Sequence, residues 1–277
     1  MIRFCNSKIN IGLDIVARRP DGYHDIVTAM FPIGWGDILE IVPSADGVTR
    51  LTVTGRRVDC PAEKNLVMKA YRALAAEVEL PAVDIYLRKI VPDGAGLGGG
   101  SSDAAHTLLL LNDLFALGLP LDRLAAIAAG IGADCPFFVY DTPMLATGTG
   151  IDLTPVEMPC LDGLTIVVVK PPVSVPTAAA YKGVTPRKPS VQLLSSLRRP
   201  IKEWRGLVEN DFEPSVFRQY PLIAEAKADM YDSGAVYASM SGSGSAVYGL
   251  FECANLSLPD RWMRDGWQSW RGVVGKE

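Results

Sequence analysis

"VPDGAGLGGGSSDAAHTLLLLN", residues 91–112, places five glycines in the seven positions Gly94 to Gly100, then two serines, an aspartate and a long apolar run. The run from Ser101 to Leu117 reads as a helix that is apolar nearly all round, hence buried. Ser101 or Ser102 can cap it, and Gly118 with Pro120 can stop it. A flexible turn with a serine cap needs fewer glycines than this. Glycine lets backbone N–H groups approach an anion closely, and a helix N-terminus adds about half a positive charge. The loop therefore reads as an anion cradle, with the Ser101 and Ser102 hydroxyls within reach of a phosphate or a magnesium ion.

Three phosphate-binding patterns compete for that loop. Gly94, Gly96 and Gly99 satisfy G-x-G-x-x-G, but a dinucleotide site also needs an acidic residue after a second strand about 20 residues on. That position falls near Asp122, in the turn "GLPLDRL". The Walker pattern fails because no Lys-Ser or Lys-Thr follows the glycines. A protein-kinase glycine loop joins two strands, whereas this one opens a helix.

Outward from the loop, alternation predicts strands at 37–42, 48–55 and 83–91. A helix over 65–78 has Asn65 as its N-cap, and "LDRLAAIAAG" forms another. "DCPFFVY" reads as a strand entered through Pro136. Later come a strand at "LTIVVVK" and two strand-like stretches flanking "SMSGSGSAV"; the proline- and base-rich segment 182–200 reads as a loop or linker. Helices and strands alternate without a doubly wound rhythm, which favours an α+β design. The expected division is an N-terminal domain over 1–155 that binds nucleotide and a C-terminal domain over 156–277.

The 277 residues are 48% hydrophobic and 21% charged, with a net charge of −4. That balance argues against a general nucleic-acid or anionic-membrane surface. Five scattered cysteines and two histidines make no zinc pattern and suit a reducing compartment. No apolar run approaches a membrane span, so a cytoplasmic protein is expected. Two more stretches carry chemistry. "SKINIGLDIVARRPDGYHDIVTAM", 7–30, sets Lys8 among apolar residues and then turns at Tyr23 and His24. "MSGSGSAV", 240–247, is a second small-residue loop.

Together and in this order, these elements resemble the GHMP small-molecule kinases, whose P-x-x-x-G-L-G-S/G-S-S motif is matched by "PDGAGLGGGSS". "SKIN…RRPDGYH", "GADCPFF", "NDFEP" and "SGSGS" resemble the branch acting on a cytidyl-linked sugar alcohol. Ser7, Cys135, His106 and Ser245 depart from that branch without removing a functional side chain; His106, on an apolar helix, reads as structural. The resemblance implies a two-domain α+β fold with ATP and substrate bound between domains, and ATP used as its Mg2+ complex. It implies Asp134 as the acid-base group, at a turn between helix and strand, with Lys8 as its cationic partner. It assigns ATP to Pro92, Asp93, Gly94, Ala95, Gly96, Leu97, Gly98, Gly99, Gly100, Ser101 and Ser102, with Asn65 and Lys89 near the purine. Substrate falls to Asn10, Tyr23, His24, Thr177, Tyr181, Ser241 and Gly242, with the base between Tyr23 and Tyr181 and His24 on its edge. A small-molecule substrate, no nucleic acid or membrane partner, and a monomer or homodimer are expected. Another kinase of the superfamily, of homoserine or mevalonate type, and a non-catalytic ligand-binding relative are the competing readings.

Overall fold

A computed structural model describes residues 1–58, 60–188 and 192–275. Two long strands open the chain, β1 (Ile2–Arg18) and β2 (His24–Pro43), paired through a tight turn. In that turn Arg19 N–H donates to the Tyr23 carbonyl at 2.8 Å, and Gly22 takes the left-handed φ of 89° that the reversal requires. Packing divides the chain into two compact units, and each strand contributes to both.

The first unit comprises residues 1–7, 34–93 and 98–142. Its sheet pairs the later part of β2 antiparallel with β4 (Val83–Lys89), and β4 parallel with β3 (Arg50–Gly55). Alternation along β4 buries Val83, Ile85, Leu87 and Lys89 on one face. Among the described residues, four α-helices accompany the sheet: α1 (Leu66–Ala75), α2 (Gly99–Leu114), α3 (Leu121–Ala129) and α4 (Cys135–Tyr140). α1 packs on α2, and both α2 and α3 pack on α4. Asn65 caps α1 as the sequence indicates, its Oδ1 accepting from Val67 N–H at 3.0 Å.

Three local expectations are corrected here. Ser101 and Ser102 are not caps; α2 begins at Gly99, and its N-cap is Gly98 at φ 71°. α2 ends at Leu114, well before Gly118, because the Asn112 side chain holds the backbone of Leu119 through both its carbonyl and its amide. Residues 135–140 form a helix, not a strand. A short apolar run is ambiguous in period, and Pro136 fits a first helical turn, where its missing N–H costs nothing.

The second unit comprises residues 8–33, 94–97 and 143–277; the boundary expected at 155/156 falls inside it. The start of β2 pairs with β5 (Met144–Thr147), which pairs with β6 (Asp152–Pro155). A second, antiparallel sheet is built from β7 (Thr165–Lys170), β8 (Tyr237–Met240), β9 (Val247–Phe251) and β10 (Gln268–Val273), in the order β10-β7-β9-β8. Helices α5 (Thr177–Lys182), α6 (Leu193–Leu197), α7 (Glu213–Gln219) and α8 (Pro221–Asp232) accompany it. Val167, Val169, Phe212, Val216, Ile223, Met230 and Phe251 share one core, which anchors α7 and α8 to this unit. Segment 182–200 is not loop throughout: α6 lies in it, with Leu193 and Leu197 buried. Residues 189–191 lie outside the described residues.

Candidate active site

The glycine loop is divided between the units. Pro92 and Asp93 and the stretch from Gly98 onward belong to the first, Gly94–Leu97 to the second. In the first unit the leading N–H groups of α2 have no carbonyl one turn behind them, and Gly98 offers no side chain to replace one. They remain available to a bound anion. Ser102 Oγ is fully buried and has no hydrogen-bond partner among the described residues. The Ser101 hydroxyl bonds the Cys135 thiol, which burial pushes up to about 11. Asp134 is half-buried immediately before α4, and its carboxylate does not cap that helix.

Lys89 is placed differently from expectation. It is 4% exposed, and its ammonium is bonded to Asp37 and Asp103. Burial pulls its pKa down, but the charges of Asp103 and Asp37 outweigh that and hold it above the usual lysine value. Asn65, 8% exposed, has its carbonyl oxygen committed to capping.

In the second unit the structure joins several predicted residues into one network. Lys8 Nζ donates to Asn10 Oδ1 at 2.5 Å, and Lys8 N–H donates to the Leu97 carbonyl at 2.9 Å. Asn10 Nδ2 donates to Thr28 Oγ1 at 3.1 Å, fixing the amide so that its oxygen faces the lysine. Ser241 Oγ accepts from Asn10 N–H at 3.2 Å and donates to the Gly96 carbonyl at 2.8 Å. Gly96 sits at φ 78°, and a Cβ there would lie 2.0 Å from the Ser241 carbonyl oxygen. No other residue fits that place.

The aromatic residues form a separate group. His24 stacks on Tyr181, ring centroids 4.7 Å apart and 23° from parallel, while Phe212 meets Tyr181 edge-on at 4.8 Å. Tyr23 is 67% exposed. The Tyr181 face thus already carries an imidazole. Thr177, at the start of α5, lies 3.3 Å from Ser243, hydroxyl to hydroxyl.

Several residues of the site's framework carry no assigned role in the sequence reading. Asn210 Nδ2 donates to the carbonyls of Met240 and Gly242, both at 2.8 Å. Glu213 Oε1 accepts from Met240 N–H and Ser239 Oγ, and its other oxygen meets Lys227 at 2.6 Å. The signal for both was the "NDFEP" element, whose polar residues fasten the "SGSGS" loop. Asp37, a partner of Lys89, was detectable from strand alternation, which sets it in register with buried apolar neighbours. His106 bonds Asn6 at 3.1 Å, and burial lowers its pKa to about 4, so it stays neutral within the core.

A left-handed glycine opening a helix in the first unit and a buried lysine network in the second are the features that small-molecule phosphotransferases combine. Comparison with known proteins agrees. GHMP kinases N terminal domain matches residues 65–142, and GHMP kinases C terminal matches 192–258. The chain is 52% identical over 252 residues to a 4-diphosphocytidyl-2-C-methyl-D-erythritol kinase of Parabacteroides distasonis, covering 91% of this chain and 92% of that one. It is 50% identical to the kinase of the same name from Porphyromonas gingivalis, with the same coverage. A crystal structure of 4-(cytidine 5'-diphospho)-2C-methyl-D-erythritol kinase is 34% identical, with a TM-score of 0.79 over all of both chains. A mevalonate kinase structure, 12% identical with a TM-score of 0.70, shares the fold. The chain belongs to the 4-diphosphocytidyl-2-C-methyl-D-erythritol kinase family of the GHMP kinases. Its α+β architecture of two units and two sheets is that of the class. Among the described residues, no helix is long and apolar enough to cross a membrane.

Proposed function

We propose that the chain transfers the γ-phosphoryl group of ATP to the 2-hydroxyl of 4-diphosphocytidyl-2-C-methyl-D-erythritol, in the non-mevalonate route to isoprenoids. The observation that supports this best is the network of Lys8, Asn10, Ser241 and the Gly96–Leu97 backbone. It fixes a buried cation on the strand that bonds the Leu97 carbonyl of the glycine loop, and phosphoryl transfer needs positive charge. Asp134 accepts the hydroxyl proton as the substrate oxygen attacks the γ-phosphorus. The bond from that phosphorus to the oxygen bridging it to the β-phosphate breaks, and ADP leaves. Lys8 polarises the hydroxyl. The leading N–H groups of α2 bind the phosphates before and during transfer.

The residues present fit a nucleotide-borne Mg2+. Such an ion takes few protein ligands, and the unpartnered Ser102 hydroxyl is a hard oxygen on the first turn of α2. When bound, the ion offsets charge on the phosphate oxygens. Tyr181, with Tyr23, holds the cytosine by stacking, and His24 reads its edge once it swings off Tyr181. Asn10, Thr177, Ser241 and Gly242 line the sugar alcohol and diphosphate. The protein works in the cytoplasm as a monomer or homodimer. The test is an ATP-dependent phosphorylation assay offering diphosphocytidyl-methylerythritol, mevalonate and homoserine in parallel. Turnover confined to the cytidyl compound is expected; a preference for either of the others overturns the reading.

A further inference from the structure

Lys89 breaks the pattern of its own strand. Val83, Ile85 and Leu87 precede it on the buried face of β4, so its ammonium enters an apolar interior. There it is held by Asp37 from β2 and Asp103 from α2, each no more than 2–3% exposed at the side chain. Two carboxyl groups share one ammonium in a low dielectric. Asp103 Oδ1 has no partner at all among the described residues. Apolar residues of similar volume would hold such a place as well or better, because burying ions costs more than their attraction returns. Stability alone does not account for the arrangement.

Its geometry does. Asp37 Oδ1 accepts the N–H groups of both Ile90 and Val91, the residues that lead the chain out of β4 into the glycine loop. Asp103 lies in the first turn and a half of α2, where the chain leaves that loop. A Cβ on Gly99, the first residue of α2, would sit 3.1 Å from Val91 and 3.5 Å from Asp37 Oδ2. One ammonium therefore ties the two ends of the loop together. Resting on the kinase reading above, we propose that Asp37, Lys89 and Asp103 are positioning residues: a buried ionic clamp that fixes the span of the glycine loop for nucleotide phosphates, without touching the nucleotide. This replaces direct contact of Lys89 with the purine.

Two variants test it, Asp37→Asn, nearly isosteric, and Lys89→Met. Calorimetric affinities of each for ATP, ADP and adenosine are compared with wild type, alongside KM for the cytidyl substrate and melting temperature. A displaced cradle weakens ATP and ADP by about tenfold or more and leaves adenosine and the cytidyl substrate within about twofold. The double variant is then no worse than the weaker single one, because both break the same clamp. Equal losses for adenosine and ATP in Lys89→Met, with Asp37→Asn unaffected, overturn the proposal in favour of purine contact. A lowered melting temperature with all affinities unchanged overturns it in favour of a purely structural triad. If Lys89→Met does not fold, Asp37→Asn carries the same comparison of ATP with adenosine. Nucleotide affinities do not depend on the acceptor, so a wild type that fails to phosphorylate the cytidyl compound defeats the function proposed above and leaves this test standing.

Discussion

The stretch from Gly94 to Ser102 opens a helix of 16 residues, whereas the stretch from Ser241 to Ala246 joins two antiparallel strands. Both are built from glycine and serine, yet they dispose of their backbone polar groups in opposite ways. In the strand-joining loop three N–H groups and two neighbouring carbonyls are spent. Ser241 N–H goes to the Ala246 carbonyl, Gly244 N–H to Ser241, Ala246 N–H to Ala95, and the Met240 and Gly242 carbonyls to Asn210. At the helix the leading N–H groups are left open. Glycine content marks backbone freedom; whether a loop binds or braces depends on which donors have partners.

If the first loop binds, the second braces and neither reacts, the chemistry rests elsewhere. Asp134→Asn is then the variant with the largest effect: turnover falls by about two to four orders of magnitude while calorimetric ATP affinity holds. Retention of a third of wild-type turnover removes Asp134 from the reaction.

Gly98→Val attacks the binding loop. Gly98 needs φ 71°, which a β-branched residue adopts only under strain, and the side chain crowds the N–H groups. ATP affinity should fall by about 10-fold to 100-fold, with affinity for the cytidyl substrate much less changed. Gly47→Ala is the control, since Gly47 has φ 75° and open space around it. It bears the same backbone strain without touching nucleotide binding. Equal ATP losses in both would reduce the loop's role to folding.

Asn210→Ala attacks the bracing loop. It removes the Asn210 donor from the Met240 and Gly242 carbonyls, costing about 1–3 kcal/mol of stability. Urea denaturation should show this as a lower midpoint, and ATP and cytidyl-substrate affinities should drift together. Selective loss of ATP binding would erase the distinction between the two loops.

The smallest effect concerns pH and belongs to the clamp beside the binding loop. Burial raises Asp103 to about 7; Lys89 works against that, and Asp37 reinforces it. The folded protein therefore keeps a proton that the unfolded chain, near its ordinary value of about 4, releases. Stability contributed by Asp103 is full below about pH 4, declines as pH rises toward about 7, and is flat beyond. Asp103→Asn removes that decline. The urea midpoint difference between variant and wild type should thus grow in the variant's favour from about pH 5 to about pH 8. Using the difference cancels Asp14, raised to about 6 by burial and Asp211, and His106. A constant difference across that range would show that Asp103 stays ionised.

The sequence by itself determined the local elements whose cause is local. Alternation marked β4, a β-branched run marked β7, Asn65 announced the start of α1, and five glycines before an apolar run marked the opening of a helix. The order of the motifs determined the family. Tertiary structure decided whatever depends on what a face meets. "DCPFFVY" became a helix because a six-residue apolar run has no period of its own and takes the shape its neighbours allow. The same logic placed His24 against Tyr181 instead of into solvent. Alternation put Lys89 on the inner face of β4, but Asp37 lies 52 residues before it and Asp103 14 after it. Only the folded chain brings those carboxylates to one ammonium, because burying a charge without partners is too costly for any fold that leaves them apart.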